Sequence, residues 1–360
     1  MLPPEPAFFA ETLLNWYKKH FRPLPWRETT NPYAIWLSEI ILQQTRVNQG
    51  LPYYHTFLTA YPTVHDLANA PEDEVLRHWQ GLGYYSRARN LHQTAKFVSE
   101  ELGGFFPENY TDLLKLKGVG TYTAAAIASF AFKEQVAVLD GNVFRVLSRV
   151  FGISDDILSP LGKRTFQDLA NKLVPANEPD TYNQAIMEFG AIQCTPVMPD
   201  CLFCPLQDHC YAFKHGLVTV LPHKSKAKAP RVRHFHYFVF QFGEDFYLKK
   251  RLPGDIWQGL YDFHLLESDT KALSLDEMIA ELGILQQDVP MPNIKMPSPA
   301  YKHVLSHQKV FAAFYHILLE SPLSQNVTNS TGLSFYSKSE IEALPKPVLI
   351  NNYLKDAIFK

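Results

Sequence analysis

LLKLKGVGTYTAAAIASFAF, residues 113–132, decides how this chain is read. Leu113, Leu114 and Leu116 follow a helical apolar spacing that stops at Lys117. Gly118 and Gly120 bracket Val119, and a run of small helix-forming residues starts at Tyr122. Helix, glycine hairpin, helix leaves the N–H groups of the turn and of the next helix start without partners. Glycine permits positive φ values and close approach of another backbone. Such a turn can hold a phosphate through its amides and the helix dipole. Taken alone, it can equally be a plain αα-hairpin.

The surroundings are helical as well. Apolar residues at three- and four-residue spacing predict helices over 8–17, 35–47, 66–79, 87–101, 111–116, 122–131, 143–150, 163–173 and 183–192. Pro62, Pro71, Gly81 with Gly83, Gly103 with Gly104, and Pro175 mark the breaks. At 222–233 the texture changes to PHKSKAKAPRVR, basic and without apolar period, which reads as a linker. HFHYFVFQF follows, aromatic and strand-like, with further strands near 246–249 and 310–319 and a helix over 275–282. The expected organisation is an all-α domain over 1–220, a linker over 221–232 and an α+β domain over 233–360.

A length of 360 residues agrees with two domains. No run of some 18 apolar residues occurs, so no transmembrane span is expected. The first 20 residues lack a basic leader, which predicts a cytoplasmic protein. Net charge is −2, and residues 1–220 hold 18 Lys/Arg against 22 Asp/Glu. Nucleic-acid binding must therefore rest on local donors and aromatic rings, not on a global basic field.

All four cysteines fall within CTPVMPDCLFCPLQDHC: Cys194, Cys201, Cys204 and Cys210. Disulfides do not suit a chain without an export signal. Zinc usually takes two separated C-x2-C pairs, and here there is one. A 4Fe-4S cluster held by four thiolates suits the compact C-x6-C-x2-C-x5-C wrap better.

This cysteine pattern resembles that of the endonuclease III family of DNA repair glycosylases, and residues 113–132 resemble the helix–hairpin–helix of the same superfamily. SExxLQQT at Glu39, LPWR from Leu24 to Arg27, GLGYYSRARNL from Gly81 to Leu91 and LDGN at Asp140 are similar to one branch, the adenine DNA glycosylases (MutY). The resemblance spans residues 8–220. It implies Glu39 and Asp140 as the catalytic carboxylates, although a Glu on a helix face and an Asp at a helix entrance are commonly just surface and N-cap residues. It also implies Tyr122 and Asn142 as their partners. For DNA contact it implies Trp26, Arg27, Lys117, Gly118, Val119 and Gly120, with Gln44 and Tyr84 as wedges in the duplex. Gln184 stands where some members carry Glu. Bifunctional relatives place a lysine nucleophile where this chain has Tyr122. A phenol forms no iminium, so a monofunctional glycosylase is expected.

Beyond residue 231 the chain resembles the Nudix-like C-terminal domain of that branch. DEMIAELGI, residues 276–284, keeps Glu277, Glu281 and Gly283 of a Nudix box, but Asp276 and Ala280 replace its Arg and a Glu, and Asp262 and Ser268 replace its upstream Gly and Glu. A hard-cation site that loses ligands should not hydrolyse nucleotides. The resemblance implies instead a reader of 8-oxoguanine, with Leu305, Ser306 and His307 in the place of a Phe-Ser-His loop. The expected partner is double-stranded DNA with adenine opposite 8-oxoguanine, bound by a monomer away from membranes. Rival readings are a bifunctional pyrimidine glycosylase, a non-catalytic DNA-binding protein and a Nudix hydrolase. Tyr122, the two carboxylates and the degraded box speak against them in turn.

Overall fold

The computed structural model describes residues 4–226, 229–283, 293–294 and 297–359. Ala227 and Lys228 of the expected linker, and Ile284 at the end of DEMIAELGI, lie outside the described residues. The chain divides into two compact units, Met1–Asn69 with Asn90–Lys226, and Ala70–Arg89 with Ala227–Lys360. Among the described residues no helix is long and apolar enough to cross a membrane.

In chain order the helices up to residue 226 are α1 Pro6–His20, α2 Pro32–Leu42, α3 Val47–Ala60, α4 Val64–Asn69, α5 Glu72–His78, α6 Ser86–Glu100, α7 Tyr110–Leu113, α8 Thr121–Phe132, α9 Gly141–Phe151, α10 Pro160–Leu173, α11 Pro179–Glu188 and α12 Tyr211–Lys214. α2 is the centre of its unit. Asn31 caps it by accepting the N–H groups of Tyr33 and Ala34 at 2.9 and 3.3 Å. Pro32 is pre-set for a first helical turn. Every residue from Tyr33 to Ile41 is buried, so this helix is apolar on all sides except at Ser38 and Glu39. The alanine-rich α8 packs against it, and small side chains let the two helices approach closely. A second core joins α1, α9, α10 and α11 through Phe9, Leu13, Val146, Phe166, Ile186 and Phe189.

Three helical expectations need correction. The helix expected over 35–47 ends at Leu42, and the chain turns through Gln43–Arg46 before α3 begins at Val47. α3 itself was not expected, because Gly50 and Pro52 interrupt its pattern. The burial of Tyr54 and Phe57 outweighs that local penalty. The helix expected over 66–79 is two, parted at Ala70 and Pro71, where proline disfavours helix in the residue before it. The helix expected over 183–192 begins at Pro179 and changes at Phe189 into a π-turn, Phe189–Gln193, that leads directly into Cys194.

The other unit is built on a mixed sheet. Its strands are β1 Arg231–Phe242, β2 Asp245–Lys250, β3 Tyr261–Asp262, β4 His264–Ser268, β5 Asn293–Ile294, β6 Tyr301–Val304, β7 Gln308–Leu319 and β8 Ser334–Tyr336. Its helices are α13 Leu275–Leu282, α14 Gln325–Thr331, α15 Lys338–Ala343 and α16 Val348–Ala357. β1 and β7 run parallel in unbroken register from Arg231↔Gln308 to Phe242↔Leu319. β4 and β2 pair antiparallel with β1, and β6 pairs antiparallel with β7. The strand therefore begins three residues earlier than expected, inside the basic stretch, because β7 offers partners to Arg231, Val232 and Arg233. Both faces of β1 are covered, which explains its continuous aromatic run. Phe238 and Tyr315 pack with Val327 of α14 on one face. Phe314 stacks on Tyr353 of α16 at 3.8 Å on the other.

Candidate active site

Glu39, Tyr122, Asp140 and Asn142 come together although three helices supply them. They line a cavity of about 200 Å³ with Trp26, Arg27, Gln184 and Glu188. Glu39, Tyr122 and Asp140 also border a more open cavity of about 610 Å³, whose far wall includes Gln43, Gln44, Gly118, Gly120 and Gly141. The three side chains thus stand where an inner pocket meets an outer groove.

The two carboxyls have different surroundings. Burial pushes Glu39 up to about 7; Tyr122 and Arg27 pull it down, and the charge of Asp140 adds to the rise. Asp140 is also raised by burial, but N–H donors oppose that rise. It caps α9: Val143 donates to Oδ1 at 2.8 Å, and the Asn142 amide donates to Oδ2 at 2.7 Å. The usual role of a helix-entrance Asp is therefore present here and coexists with exposure to the cavity. The Tyr122 hydroxyl donates to Met187 Sδ at 3.8 Å, and burial with the nearby carboxylates holds the phenol well above its ordinary value. It is a neutral donor at any physiological pH.

Sequence reading missed the groups that fix this arrangement. Arg145 donates to Asn142 Oδ1 at 2.8 Å, to Gly190 O at 2.6 Å and to Cys194 O at 2.7 Å. A guanidinium only donates, so the Asn142 oxygen must face it and the amide nitrogen must face Asp140. Glu188 was missed as well. Its side chain is wholly buried, and burial alone would raise it. Hydrogen bonds from Arg22 at 2.6 and 2.7 Å and from Arg27 at 2.8 Å hold it instead at about 2. Arg22 and Arg27 both sit in the RPLPWR stretch, whose paired arginines were the available signal. Gln184 accepts from Tyr17 at 2.9 Å.

In the hairpin, Gly118 and Gly120 differ. Gly118 has φ +76, and a Cβ there would lie 2.7 Å from Asn90 Cβ. Gly120 does not need a positive φ, contrary to expectation. It is the extended N-cap of α8 at φ −91, and a Cβ there would meet nothing within 4 Å. Val119 is buried and anchors the turn, while Lys117, Gly118 and Gly120 are exposed. Gln44 is exposed at φ +55 between α2 and α3, and Gln43 bonds Thr123 at 3.2 Å just before it. Tyr84, in the other unit, is 37% exposed at φ +49. Non-glycine residues held at positive φ are strained.

The four cysteines are free and half-buried. Cys194, Cys204 and Cys210 pack on the core of α1, α9 and α10. Arg149 donates to Cys194 Sγ at 3.4 Å, and backbone N–H groups of Leu206, Ala212 and Phe213 favour negative charge on Cys204 and Cys210. Burial still pushes Cys204 up to about 12, and the other three thiols add to the rise. Among the described residues no group of three or more His, Cys, Asp or Glu converges closely enough to hold a single metal ion. N–H donors aimed at several sulfurs are the chemistry of a thiolate-held cluster, so the donor set fits one.

In the unit with the sheet, Ser306 and His307 are exposed at the tip of the β6–β7 hairpin, and Leu305 is half-buried. Of the Nudix-box residues, Glu277 caps its own helix by accepting from Ser274 at 2.7 Å, and Glu281 bonds His264 at 2.7 Å. Asp262 is fully buried and paired with Arg251 at 2.7 Å.

Residues 37–174 match the family described as HhH-GPD superfamily base excision DNA repair protein, and residues 236–356 match the NUDIX domain family. A thermostable thymine-DNA glycosylase structure is 32% identical, with a TM-score of 0.55, covering 58% of this chain and 97% of its own. Fold and pocket together define a base-excision DNA glycosylase of the helix–hairpin–helix superfamily. An adenine DNA glycosylase of Buchnera aphidicola (subspecies Baizongia pistaciae) is 32% identical over 348 residues, 94% of each chain. That of Rattus norvegicus is 46% identical over 226 residues, 59% of this chain and 44% of its own. The likeness to the Buchnera enzyme runs through both units, and the chain belongs to the adenine DNA glycosylase family.

Proposed function

We propose that this enzyme excises adenine paired with 8-oxoguanine or guanine and leaves an abasic site with the strand intact. One observation carries the reading: a carboxyl that keeps its proton up to about pH 7, Glu39, shares a cavity with a carboxyl supplied with N–H donors, Asp140. Two carboxyls held at different ionisation are what acid-assisted glycosidic cleavage needs.

The adenine leaves the stack at a cost of a few kcal/mol and enters the inner pocket. Trp26, Arg27 and Gln184 line it, and the Gln184 amide can both donate and accept. Protonated Glu39 donates to N7 of the base, which turns a poor anionic leaving group into a neutral one. Asp140, ionised, stabilises the oxocarbenium-like sugar or bonds to it transiently. Glu39 then takes a proton from the attacking water. Asn142 holds Asp140, and the Tyr122 phenol orients Glu39 without forming an iminium.

Gln44 and Tyr84 act as wedges in the duplex, their strained backbones holding the side chains outward. The uncapped amides after Gly120, with Lys117 and Gly118, hold a phosphate. Ser306 and His307 read the base opposite the adenine, with Leu305 in place of an aromatic wedge. Asp262, Glu277 and Glu281 are engaged elsewhere, which supports binding without hydrolysis in that domain. Cys194, Cys201, Cys204 and Cys210 hold a 4Fe-4S cluster, which supplies a cross-link that orders the loop.

The test is a duplex with one adenine opposite 8-oxoguanine, sampled before and after hot alkali. Strand cleavage only after alkali is expected. Cleavage before alkali would reveal an amine nucleophile and overturn the monofunctional reading. Tight binding with no cleavage in either sample would overturn catalysis.

A further inference from the structure

A line of hydrogen-bonding groups runs from Arg233 through Gln308 and His307 to Ser306 at the tip of the β6–β7 hairpin. Arg233, on β1, is 7% exposed and uses all five of its guanidinium N–H groups. Nε and Nη2 donate to Glu267 at 2.7 and 2.5 Å; Nη1 and Nη2 donate to Asp255 at 2.7 Å each. The fifth hydrogen, on Nη1, goes to Gln308 Oε1 at 3.2 Å. A guanidinium has no acceptor, so the oxygen of Gln308 must face Arg233 and its nitrogen must face the other way.

That nitrogen lies 3.0 Å from His307 Nε2. An amide nitrogen only donates, so Nε2 accepts, and the neutral imidazole carries its hydrogen on Nδ1. Nδ1 in turn is 3.3 Å from Ser306 Oγ, which accepts. The hydroxyl hydrogen of Ser306 is then released from the imidazole and available to a ligand. Gln308 is buried, and the backbone is fixed on either side: Arg231 N–H donates to His307 O at 3.0 Å, and Leu305 N–H to Gln308 O at 2.8 Å.

We propose that Gln308 is a positioning residue: oriented by Arg233, it locks His307 in the Nδ1–H form, so that Ser306 presents a hydroxyl donor to an acceptor oxygen of the DNA. The inference rests on the reading of this hairpin as the part that recognises the opposite base. The acceptor is either the C8 carbonyl of the oxidised base or a backbone phosphate.

The decisive variant is Gln308→Glu in the full-length protein. A carboxylate keeps the bond from Arg233 and the shape of the side chain, but it can only accept from His307. It therefore demands a hydrogen on Nε2; with the imidazole kept neutral in basic buffer, Nδ1 is then bare and Ser306 donates inward to it. Nitrogen-15 shifts of labelled histidine should show Nδ1–H in the parent and Nε2–H in Gln308→Glu. Affinity for the adenine:8-oxoguanine duplex should fall about tenfold, the loss of one good hydrogen bond. A fall confined to that duplex identifies the C8 carbonyl, and an equal fall with adenine:guanine identifies a phosphate. An Nε2–H parent, an unchanged tautomer in the variant, or an inverted tautomer with unchanged affinity for both duplexes overturns the relay. His307→Ala separates the layers. If it weakens lesion binding while Gln308→Glu does not, the relay alone fails; if it changes neither duplex, the reading of the hairpin fails with it.

Discussion

Asn142 donates to Asp140 Oδ2 at 2.7 Å because Arg145 occupies the other end of the same amide. The bond has a direction that Asn142 does not choose. Hydrogen bonds to a charged group contribute about 1.5–3 kcal/mol. Asn142→Ala should therefore slow single-turnover base excision by roughly tenfold or more. Duplex affinity should stay unchanged, since Asp140 retains its cap bond from Val143. Rates measured with enzyme in excess check this, and an unchanged rate would remove Asn142 from the machinery.

Glu39 makes the pH dependence of rate and of stability run the same way. Its value rises from an ordinary 4.5 to about 7 on folding, chiefly through burial. The folded state therefore binds the proton more tightly. Stability from the protonated form is fully present below the unfolded value and is lost as pH rises through about 7. The buried anion costs about 3 kcal/mol above that point. Glu39→Gln should be inactive, yet more stable than the parent by up to that amount at about pH 8. The gain should vanish below the ordinary carboxylate range. Denaturant titrations at the two pH values test it, and the parent's excision rate should decline above about pH 7 as the acid form is lost.

What the sequence made legible was local. The four cysteines lie within one loop, and their short spacings announce shared chemistry; Asp140 and Asn142, two residues apart, stood out through the resemblance of LDGN. The supports were harder to read because their partners are remote along the chain. Arg145 reaches across 45 residues to Gly190, Arg233 across 75 to Gln308, and Arg22 across 166 to Glu188. An isolated arginine carries no sign of which carbonyl or carboxylate it will meet. α3 was hidden for a different reason: Pro52 lowers the local propensity, and only the tertiary burial of Tyr54 and Phe57 restores the helix. Grouping of Ala70–Arg89 with the C-terminal half is likewise set by distant pairs, such as Lys250 with Asp73 at 2.6 Å.

The cysteine loop predicts a composition. Purified protein should hold about four iron and four sulfide per chain. Cys204→Ser should lower both and weaken duplex binding while the helical signal is retained. Stoichiometric zinc in place of iron would refute the cluster, and unchanged DNA affinity in Cys204→Ser would separate the loop from binding.

Gly118 and Gly120 should respond oppositely to the same substitution. Alanine at 118 must adopt φ +76 and place its Cβ 2.7 Å from Asn90 Cβ, so Gly118→Ala should lose about 1–3 kcal/mol of stability. Alanine at 120 meets open space at φ −91, and the exchange at this N-cap should change stability by about 1 kcal/mol or less. Among the described residues nothing lies within 4 Å of a Cβ at 120, so an effect of a side chain there on binding would come from what approaches it. If a phosphate oxygen rests on the amides that follow, Gly120→Ala should weaken duplex binding several-fold. One phosphate contact fewer should also flatten the dependence of log affinity on log salt by about 0.9. Thermal unfolding and salt-dependent binding of the two variants read these effects separately. Unchanged affinity and slope in Gly120→Ala would mean that the hairpin only joins two helices.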